Sequence, residues 1–349
     1  MAVIENRRIE MTERARPPFD DELEPALDAV PAFFTTLEPD SIAEFRAATT
    51  RPSSLDEVIA GRPVQVSDHA VTGHEDGEIV VTVLRRSGDQ GAAGPGIYLM
   101  HGGGMVGGSR WAVAPMLVEW VLEYGAVAAA VDYRLAPEFP DPVPVEDCYA
   151  WLEWFAGRAD VFGFDPRRVL IGGPSAGGGL SIGTTLLARD RGGPMPAAML
   201  LMWPMLDDRN ETVSAQQIDG VGIWDRTSNE TGWTALLGDR RGTPDVSIYA
   251  APARATDLSG LPPAYIEAGS AEVFRDETSP SRAGSGRLAA APSSTSGRAA
   301  STGSRRSCRR RRCRRQPCRR ASPGCAACWR RDPGALDDGV ARGIRAVIP

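Results

Sequence analysis

Short apolar segments alternate with helical segments between about residues 78 and 270, and this alternation limits the fold more than any other feature. Near-continuous apolar strands separated by helices are typical of a parallel sheet that is covered on both faces. The six apolar segments are EIVVTVLRR (78–86), GIYLMHGGG (96–104), AVAAAVDYR (126–134), RVLIGGPS (168–175), AAMLLMWPML (197–206) and PPAYIEAGS (262–270). The sequence therefore predicts an α/β fold, with reactive groups where strands end and helices begin.

Helical segments complete the predicted domain organisation. In VPVEDCYAWLEWFAG (143–157), apolar residues recur at helical spacing. Residues 1–50 predict helices before the sheet, and residues 207–240 interrupt the alternation after a strand. We predict that both segments form a helical cap over the carboxyl edge of the sheet. The α/β domain would span residues 51–277, and residues 278–349 form a separate tail.

The segment GGPSAGGGL (172–180) contains a Gly-x-Ser-x-Gly motif centred on Ser175. The motif follows an apolar strand and opens a helix of small residues. This strand–helix context is what distinguishes a nucleophile motif from a glycine-rich turn. Flanking glycines allow a tight turn that lifts the hydroxyl out of the sheet, and the helix directs its positive end at an oxyanion formed there. We interpret Ser175 as a nucleophile, although most isolated Gly-x-Ser-x-Gly sequences are glycine-rich turns.

A second glycine motif, HGGG (101–104), also follows a predicted strand directly. Consecutive glycines let backbone N–H groups turn toward one point without an intervening side chain, which suits an oxyanion hole for a tetrahedral acyl intermediate. The alternative is a flexible loop. We expect His101 to orient this loop by packing and not to act as a catalytic base.

Four motifs in this order resemble the bacterial hormone-sensitive-lipase-like branch of the α/β-hydrolases. They are HGGG, DYRLAPEFPDPVPVEDCYAW (132–151), GFDPRRVLIGGPSAGG (163–178) and GSAEVFRDE (269–277). The resemblance covers about residues 30–277. It implies an α/β-hydrolase fold, which has a mostly parallel sheet with helices on both faces and a helical cap, and a carboxylesterase acting on small-molecule esters of short or medium acyl chains.

The resemblance also assigns roles to individual residues. Ser175 is the implied nucleophile, and the backbone N–H groups of Gly103, Gly104 and Ala176 form the implied oxyanion hole. Glu272 is the implied acid that orients a catalytic His. This chain departs from the family at Pro174 and Glu272, where the family usually has Asp in both places. Asp132, Arg134 and Glu138 are expected to form a structural charge network.

A serine nucleophile needs a proton acceptor, which is normally a His after the last strand. The three His of this chain are His69, His74 and His101, and none of them follows Glu272. We expect His69 and His74 to lie on the surface before the strands of the sheet. Without the base, a second interpretation stays open: a catalytically impaired member of this fold that binds a small ligand.

The tail differs sharply in composition from the rest of the chain. Residues 277–349 hold 17 of the 39 basic residues but only 4 of the 45 acidic ones, and five of the six Cys. Shifting the codon frame of SGRAASTGS (296–304) by one position permits Trp-Pro-Gly-Gly-Phe-His-Gly-Phe, which resembles the family's segment around the catalytic His. We hypothesise that a frameshift or sequencing error enters near Thr278, so that the tail is either disordered or out of frame.

Other interpretations of the tail receive less support. Its Cys residues match no defensible ligand pattern, since CAAC (325–328) has no second pair and no following His, so we expect no metal site. A nucleic-acid-binding arm would have interleaved aromatic residues, and the basic tail has only Trp329. We therefore expect no nucleic-acid partner and no cofactor.

The remaining expectations concern location and assembly. The amino terminus has no apolar signal segment, and no apolar run is long enough to cross a bilayer, so a cytoplasmic protein without a membrane partner is expected. A homodimer is left open.

Overall fold

The computed structural model describes residues 15–21, 24–27, 34, 36–50, 55–88 and 94–278. Within these ranges, strands and helices alternate along the chain. The strands are β1 (Val64–Thr72), β2 (Glu78–Arg86), β3 (Gly94–Met100), β4 (Val127–Asp132), β5 (Phe164–Pro174), β6 (Ala198–Met202) and β7 (Ala264–Glu267). The helices are α1 (Glu24–Leu27), α2 (Ile42–Thr49), α3 (Leu55–Ile59), α4 (Ala114–Tyr124), α5 (Val143–Ala156), α6 (Ala159–Phe162), α7 (Ala176–Arg191), α8 (Val213–Gln217) and α9 (Arg226–Leu237).

The seven described strands form one sheet in the order β1-β2-β4-β3-β5-β6-β7. β1 pairs with β2 and β2 with β4 in antiparallel orientation, whereas β4, β3, β5, β6 and β7 are parallel. Parallel strands need crossover connections, and these contain α4, α5, α7 and, between β6 and β7, α8 and α9. The prediction of a mostly parallel sheet with helices is confirmed, and the antiparallel part is confined to the amino-terminal edge.

The central strands are apolar on both faces because helices cover both sides of the sheet. Successive residues of a strand point to opposite faces. In β3, Tyr98 and Met100 belong to one buried cluster with Trp151 of α5, while Ile97 and Leu99 belong to a second cluster that contains residues of α4. The continuous apolar runs that predicted a parallel sheet therefore contribute side chains to two hydrophobic cores, one on each face of the sheet.

The predicted elements agree with the structure in position more than in length. The segment 78–86 is a strand over the same residues, and the predicted helix 143–157 is α5. The segment 197–206 is a strand only up to Met202, and the residues after it form a loop. One expectation was wrong: His69 does not precede the sheet but lies in β1, half-buried, with its ring near Trp154 and Phe162.

The amino-terminal segment contacts the insertion that follows β6. The Thr36 hydroxyl donates to Asp225 at 2.7 Å, and the Leu37 N–H donates to the Ser228 hydroxyl at 2.8 Å. Asp225 also caps α9 by accepting from the Ser228 N–H. The boundaries 1–50 and 207–240 for a helical cap stay a prediction. No helix in the described ranges is long and apolar enough to span a membrane.

Candidate active site

Ser175 occupies the sharp junction between β5 and α7. Its backbone has φ 54° and ψ −120°, a conformation that costs a non-glycine residue energy and persists only where its surroundings hold it. The Ser175 N–H donates to Met202 O at 2.9 Å, and its carbonyl accepts from the N–H groups of Gly178 and Met205, both at 3.0 Å. The side chain is half-buried, and its hydroxyl makes no hydrogen bond to a described residue. The turn therefore rests on contacts from β6, α7 and the loop after β6.

Gly177 shows why a small residue must follow this turn. A Cβ at position 177 would overlap Met100 O and lie 2.8 Å from His101 O. Helix α7 thus begins directly against the carboxyl end of β3. Because no side chain separates them, the loop that follows β3 can approach Ser175 closely.

The glycine loop after β3 faces the Ser175 turn. A Cβ at Gly102 would lie 3.2 Å from Pro174 O and 3.4 Å from the Ser175 Cβ, so there is no room for a side chain between the two loops. Gly103 and Gly104 have φ of 112° and 60°, a region in which side chains are rarely tolerated. The N–H groups of Gly103, Gly104 and Ala176 donate no hydrogen bond to any described residue. The structure thus brings the predicted nucleophile and the three predicted oxyanion-hole residues together.

His101 is buried beneath the glycine loop. Its ring stacks on Tyr133 with centroids 4.2 Å apart, and the Tyr133 hydroxyl donates to His101 O at 2.9 Å. The imidazole Nδ1 lies 2.7 Å from Gly102 O, and since a carbonyl only accepts, Nδ1 carries the proton. Burial lowers the pKa of His101, although the hydrogen bond with Gly102 opposes this effect. These contacts are those of a neutral residue that orients the loop.

Glu272 follows β7 at the same edge of the sheet as Ser175. In the sheet register, Pro174 pairs with Met202 and Met202 with Glu267, so the three strands end level with each other. Burial raises the pKa of Glu272 to about 8, and the charge of Glu267 adds to this, while a hydrogen bond from Gly269 and the charge of Arg275 oppose it. Its Oε1 atom is buried without a hydrogen-bond partner among the described residues.

The next two acidic residues of this loop have partners. Asp276 accepts from the Ser214 N–H at 2.8 Å and from Arg275 Nε at 2.9 Å. Buried Glu277 accepts, through Oε2, from the N–H groups of Leu206 and Asp207 at 2.8 and 3.0 Å. Burial, the main cause, raises the Glu277 pKa to about 8.

Glu277 thereby connects two loops of the site. The segment that it holds, 206–207, follows Met205, whose N–H donates to Ser175 O. The sequence pattern marked Glu277 only as the end of a motif. Its part in holding the loop against the Ser175 turn depends on tertiary contacts that no local signal indicates.

The three His of this chain have other partners. His101 is engaged as described, and His69 lies in β1. The His74 N–H donates to Asp147, and its carbonyl accepts from Arg134. In the part of the chain that the structure describes, no hydrogen bond joins a His to Ser175 or to Glu272.

The three charged residues of the 132–138 segment belong to separate ion pairs and do not form one network. Asp132 pairs with Arg110, and Arg134 pairs with the fully buried Asp147 through contacts of 2.7 and 2.9 Å. Glu138 pairs with Arg46 of α2. Each pair ties a different part of the chain to the 132–138 segment, so the role of the three residues is structural.

Aromatic side chains from the amino-terminal segment and the insertion pack beside the glycine loop. Trp224 contacts Gly104, so that any Cβ at this position would overlap the indole ring. The Trp224 ring lies 5.8 Å from that of Phe45, which lies 5.6 Å from Phe34. These three residues, Phe34, Phe45 and Trp224, form an aromatic wall that borders the glycine loop. No sequence pattern indicates this wall, because its members are far apart in the chain.

The described residues contain no group of three or more His, Cys, Asp or Glu side chains that could hold a metal ion. The tail Cys and the hypothesised frameshift lie outside the described residues. The arrangement offers one hydroxyl, three N–H groups from a glycine loop and a helix start that have no acceptor among the described residues, and the half-buried carboxyl group of Glu272 at the same sheet edge. Such a set suits attack on a carbonyl carbon.

Comparisons with known proteins agree with this geometry. A sequence profile of the α/β hydrolase fold matches residues 97–290. The chain is 37% identical over 221 residues to the carboxylic ester hydrolase LipN of Mycobacterium tuberculosis, covering 61% of this chain but only 57% of LipN. It is 31% identical over 267 residues to the carboxylesterase NlhH of the same species, covering 75% of this chain and 81% of NlhH.

More distant and structural relatives point the same way. Mouse hormone-sensitive lipase is 34% identical over 106 residues, which cover 30% of this chain and 14% of the lipase. Among solved structures, a bacterial heroin esterase superposes with a TM-score of 0.66 at 37% identity, covering 74% of this chain and 82% of the esterase.

Proposed function

Because this chain belongs to the α/β-hydrolase-fold family, we propose that it is a serine carboxylic-ester hydrolase acting on esters of short or medium acyl chains. The observation that carries the proposal is the strained backbone of Ser175 (φ 54°) beside the HGGG loop, so close that a Cβ at Gly102 would lie 3.4 Å from the Ser175 Cβ. A turn that lifts a serine out of a sheet beside free N–H groups has an evident use in acyl transfer.

The proposed reaction has two halves. The Ser175 hydroxyl loses its proton to a base and bonds to the ester carbonyl carbon, and the N–H groups of Gly103, Gly104 and Ala176 stabilise the resulting oxyanion. The oxyanion collapses, the alcohol leaves with the proton, and an acyl-serine remains. Water then attacks that acyl group in the same way and releases the carboxylic acid. Glu272 accepts an N–H of the base and so orients it.

The aromatic wall supports the restriction to short or medium acyl chains. Trp224 packs against Gly104, and Phe45 packs against Trp224, so bulky rings border the site where the carbonyl would bind. Rings in this place favour compact, apolar acyl groups. The substrate is thus a small-molecule ester. Cytoplasmic location and a homodimer remain predictions.

No His among the 349 residues follows Glu272, and we attribute this to a change of reading frame near Thr278. The structural support is the buried Oε1 of Glu272, which has no partner among the described residues although it is the acid that should bind an imidazole N–H. Sequencing independent genomic DNA across codons 275–300 tests the frame. An intact frame in that DNA would show that the arginine-rich tail is genuine.

Loss of Ser175-dependent hydrolysis is the test of the proposed activity. The purified chain is assayed with p-nitrophenyl acetate and butyrate beside the Ser175→Ala variant. Without a base, the oxyanion hole and binding alone are worth about 10³-fold over water, so we expect slow hydrolysis by the parent chain, and the part of it that Ser175→Ala removes measures attack by the Ser175 hydroxyl. A fluorophosphonate reagent should label Ser175 in the parent chain only.

The second candidate function is binding of a small ligand without turnover. It is favoured by the lack of any described contact between a His and Ser175. Ligand binding that survives Ser175→Ala, with no hydrolysis in either protein, would select it over the esterase.

A further inference from the structure

A fully buried carboxyl group in the insertion after β6 joins three segments of the chain. Asp225 is 0% exposed. Its Oδ1 accepts from the Ser228 N–H and from the Ser228 hydroxyl, both at 2.7 Å. Its Oδ2 accepts from the Thr36 hydroxyl at 2.7 Å and from the Gly220 N–H at 2.8 Å. The two oxygens therefore have different partners: Oδ1 caps α9, and Oδ2 binds the amino-terminal segment and the loop before α9.

The amino-terminal segment makes a second contact with the start of α9. The Leu37 N–H donates to the Ser228 hydroxyl at 2.8 Å, and this hydroxyl in turn donates to Asp225. Leu37, Ser228 and Asp225 are all 0% exposed. Because water does not replace a hydrogen bond that is lost between buried groups, the attachment depends on these particular atoms.

The segments that this carboxyl group joins carry the aromatic wall. Trp224 immediately precedes it in the chain, and a Cβ at Gly104 would overlap Cη2 and Cζ2 of the Trp224 indole. Phe34 lies two residues before Thr36, and Phe45 lies on α2 of the same segment. The wall is therefore assembled from both sides of the junction at Asp225.

Helix α9, which Asp225 caps, also packs against the glycine loop. A Cβ at Gly232 would lie 2.9 Å from Gly104 O and 3.4 Å from Trp224 Cζ2, so no side chain separates the helix from the loop. Both neighbours of Gly104 on this side, the indole and the helix, thus belong to the element that begins at Asp225.

The hydrogen bonds fix the wall more closely than its ring contacts do. Aromatic pairs are favourable over centroid separations of about 4.5–7 Å, and the Phe34–Phe45 and Phe45–Trp224 pairs, at 5.6 and 5.8 Å, lie within that range. A hydrogen bond to a carboxyl oxygen is favourable only within about half an ångström. The junction at Asp225, and not the stacking of the rings, therefore sets how close the amino-terminal segment lies to α9.

We propose that Asp225 is a positioning residue for acyl specificity. By joining the amino-terminal segment to α9, it keeps the aromatic wall against the glycine loop and so excludes long acyl chains from the site. This inference rests on the proposed esterase function. Asp225 is fully buried and acts through the wall, so the residues that contact the acyl group are those of the wall and not Asp225 itself.

The test removes the hydroxyl that joins the amino-terminal segment to Asp225 Oδ2. Thr36→Val keeps the shape of the side chain and leaves the cap of α9 in place. Hydrolysis of p-nitrophenyl acetate and p-nitrophenyl octanoate by the full chain is measured, and the rate found with Ser175→Ala is subtracted. We expect the ratio of kcat/KM for octanoate to that for acetate to rise about threefold or more, through a lower KM for octanoate. Thr36→Ser, which keeps the hydroxyl, should keep the ratio of the parent chain.

Thr185→Val is the matched control. Thr185 is 0% exposed, and its hydroxyl donates to Ser181 O at 2.7 Å within α7, away from the wall. The same change of residue type therefore removes one buried hydrogen bond without touching Asp225, and we expect the ratio to stay that of the parent chain. An equal rise in Thr185→Val and Thr36→Val would overturn the inference, because general loosening of the fold would explain both.

A second variant removes the acceptor instead of the donor. Asp225→Asn keeps an oxygen for Ser228 but presents an amide NH₂ to the Gly220 N–H, so it should raise the ratio in the same direction as Thr36→Val. An unchanged ratio in both variants, with far-ultraviolet circular dichroism like that of the parent chain, would overturn the inference and leave the esterase function standing. A parent chain without Ser175-dependent hydrolysis of either ester would contradict the esterase function and this inference with it.

Discussion

Glu272 is half-buried and Glu277 is buried, and desolvation is the main cause that raises the pKa of both carboxyl groups to about 8. The charges of Asp207 and Glu272 add to the effect of burial on the pKa of Glu277. The ordinary value for a Glu is 4.5, so both groups bind protons more tightly in the folded chain than in the unfolded chain. Protonation at these two residues therefore stabilises the fold.

The first prediction concerns stability and pH. The stabilisation from protonated Glu277 is fully present below about pH 4.5 and is lost as pH rises through about 8, because the folded state binds more protons in this window. The free energy of unfolding, measured with urea between about pH 5 and pH 9, should fall as pH rises. In Glu277→Gln the fall should be smaller, since Gln still accepts from Leu206 and Asp207 but does not titrate.

Glu138→Gln is the control for this experiment. Arg46 lowers the pKa of Glu138 below its ordinary value, so Glu138 is already ionised across the range tested and its removal leaves the slope unchanged. An equal slope in the parent chain and in Glu277→Gln would show that Glu277 does not titrate in this window.

At the scale of elements, one arginine attaches α2 to the two loops that border the site. Arg46 donates through Nε to Val106 O at 2.9 Å, beside the glycine loop, and through Nη2 to Ala136 O at 2.7 Å, after β4. It also pairs with Glu138. The position of α2, and with it of Phe45 in the aromatic wall, therefore depends on backbone carbonyls as well as on an ion pair.

The second prediction separates these two contributions. Arg46→Ala should destabilise the fold by about 1–3 kcal/mol, because two carbonyls lose a charged donor. Glu138→Ala should cost less than about 1 kcal/mol, because it removes only a half-exposed ion pair. Urea unfolding monitored by tryptophan fluorescence measures both. Equal losses would mean that the ion pair, and not the carbonyl contacts, holds α2.

At the scale of the whole molecule, β7 is the last described strand and pairs only with β6 within the described residues. Strand edges are sites of unwanted pairing between molecules unless they are covered. The sequence beyond Thr278 has no apolar alternation in the frame as written but permits a helix and a strand in the shifted frame. The chain in the restored frame should therefore complete the fold better than the chain as written.

The third prediction compares the two frames. Expressed under identical conditions, the chain in the restored frame should give a larger soluble fraction, a higher Tm and faster Ser175-dependent hydrolysis than the chain as written. The chain truncated after Thr278 serves as control, because it lacks both versions of the tail. If the chain as written equals the restored chain in solubility and Tm, its arginine-rich tail is not a defect of the fold.

Local patterns were sufficient for the architecture. Apolar runs in β3, β4 and β5 indicated a sheet buried on both faces, and the order of four motifs indicated the hormone-sensitive-lipase-like family, which the profile match and the relatives confirm. Both signals are local because the periodicity of strands and the glycines of tight turns are written in neighbouring residues. The antiparallel pairing of β1 with β2 and the place of His69 in β1 were not predicted, because β1 is largely exposed and has no continuous apolar run.

The contacts that join distant segments were decided only by the tertiary structure. The sequence by itself predicted that Ser175 and the loop at 101–104 lie at the carboxyl edge of a parallel sheet, from the alternation of strands and helices and from the glycine motifs. The Glu277 bonds to Leu206 and Asp207, the separate partners of Asp132, Arg134 and Glu138, and the wall of Phe34, Phe45 and Trp224 all join residues far apart in the chain. Such partners meet because whole elements pack together, and the packing of elements depends on the shape of every side chain between them.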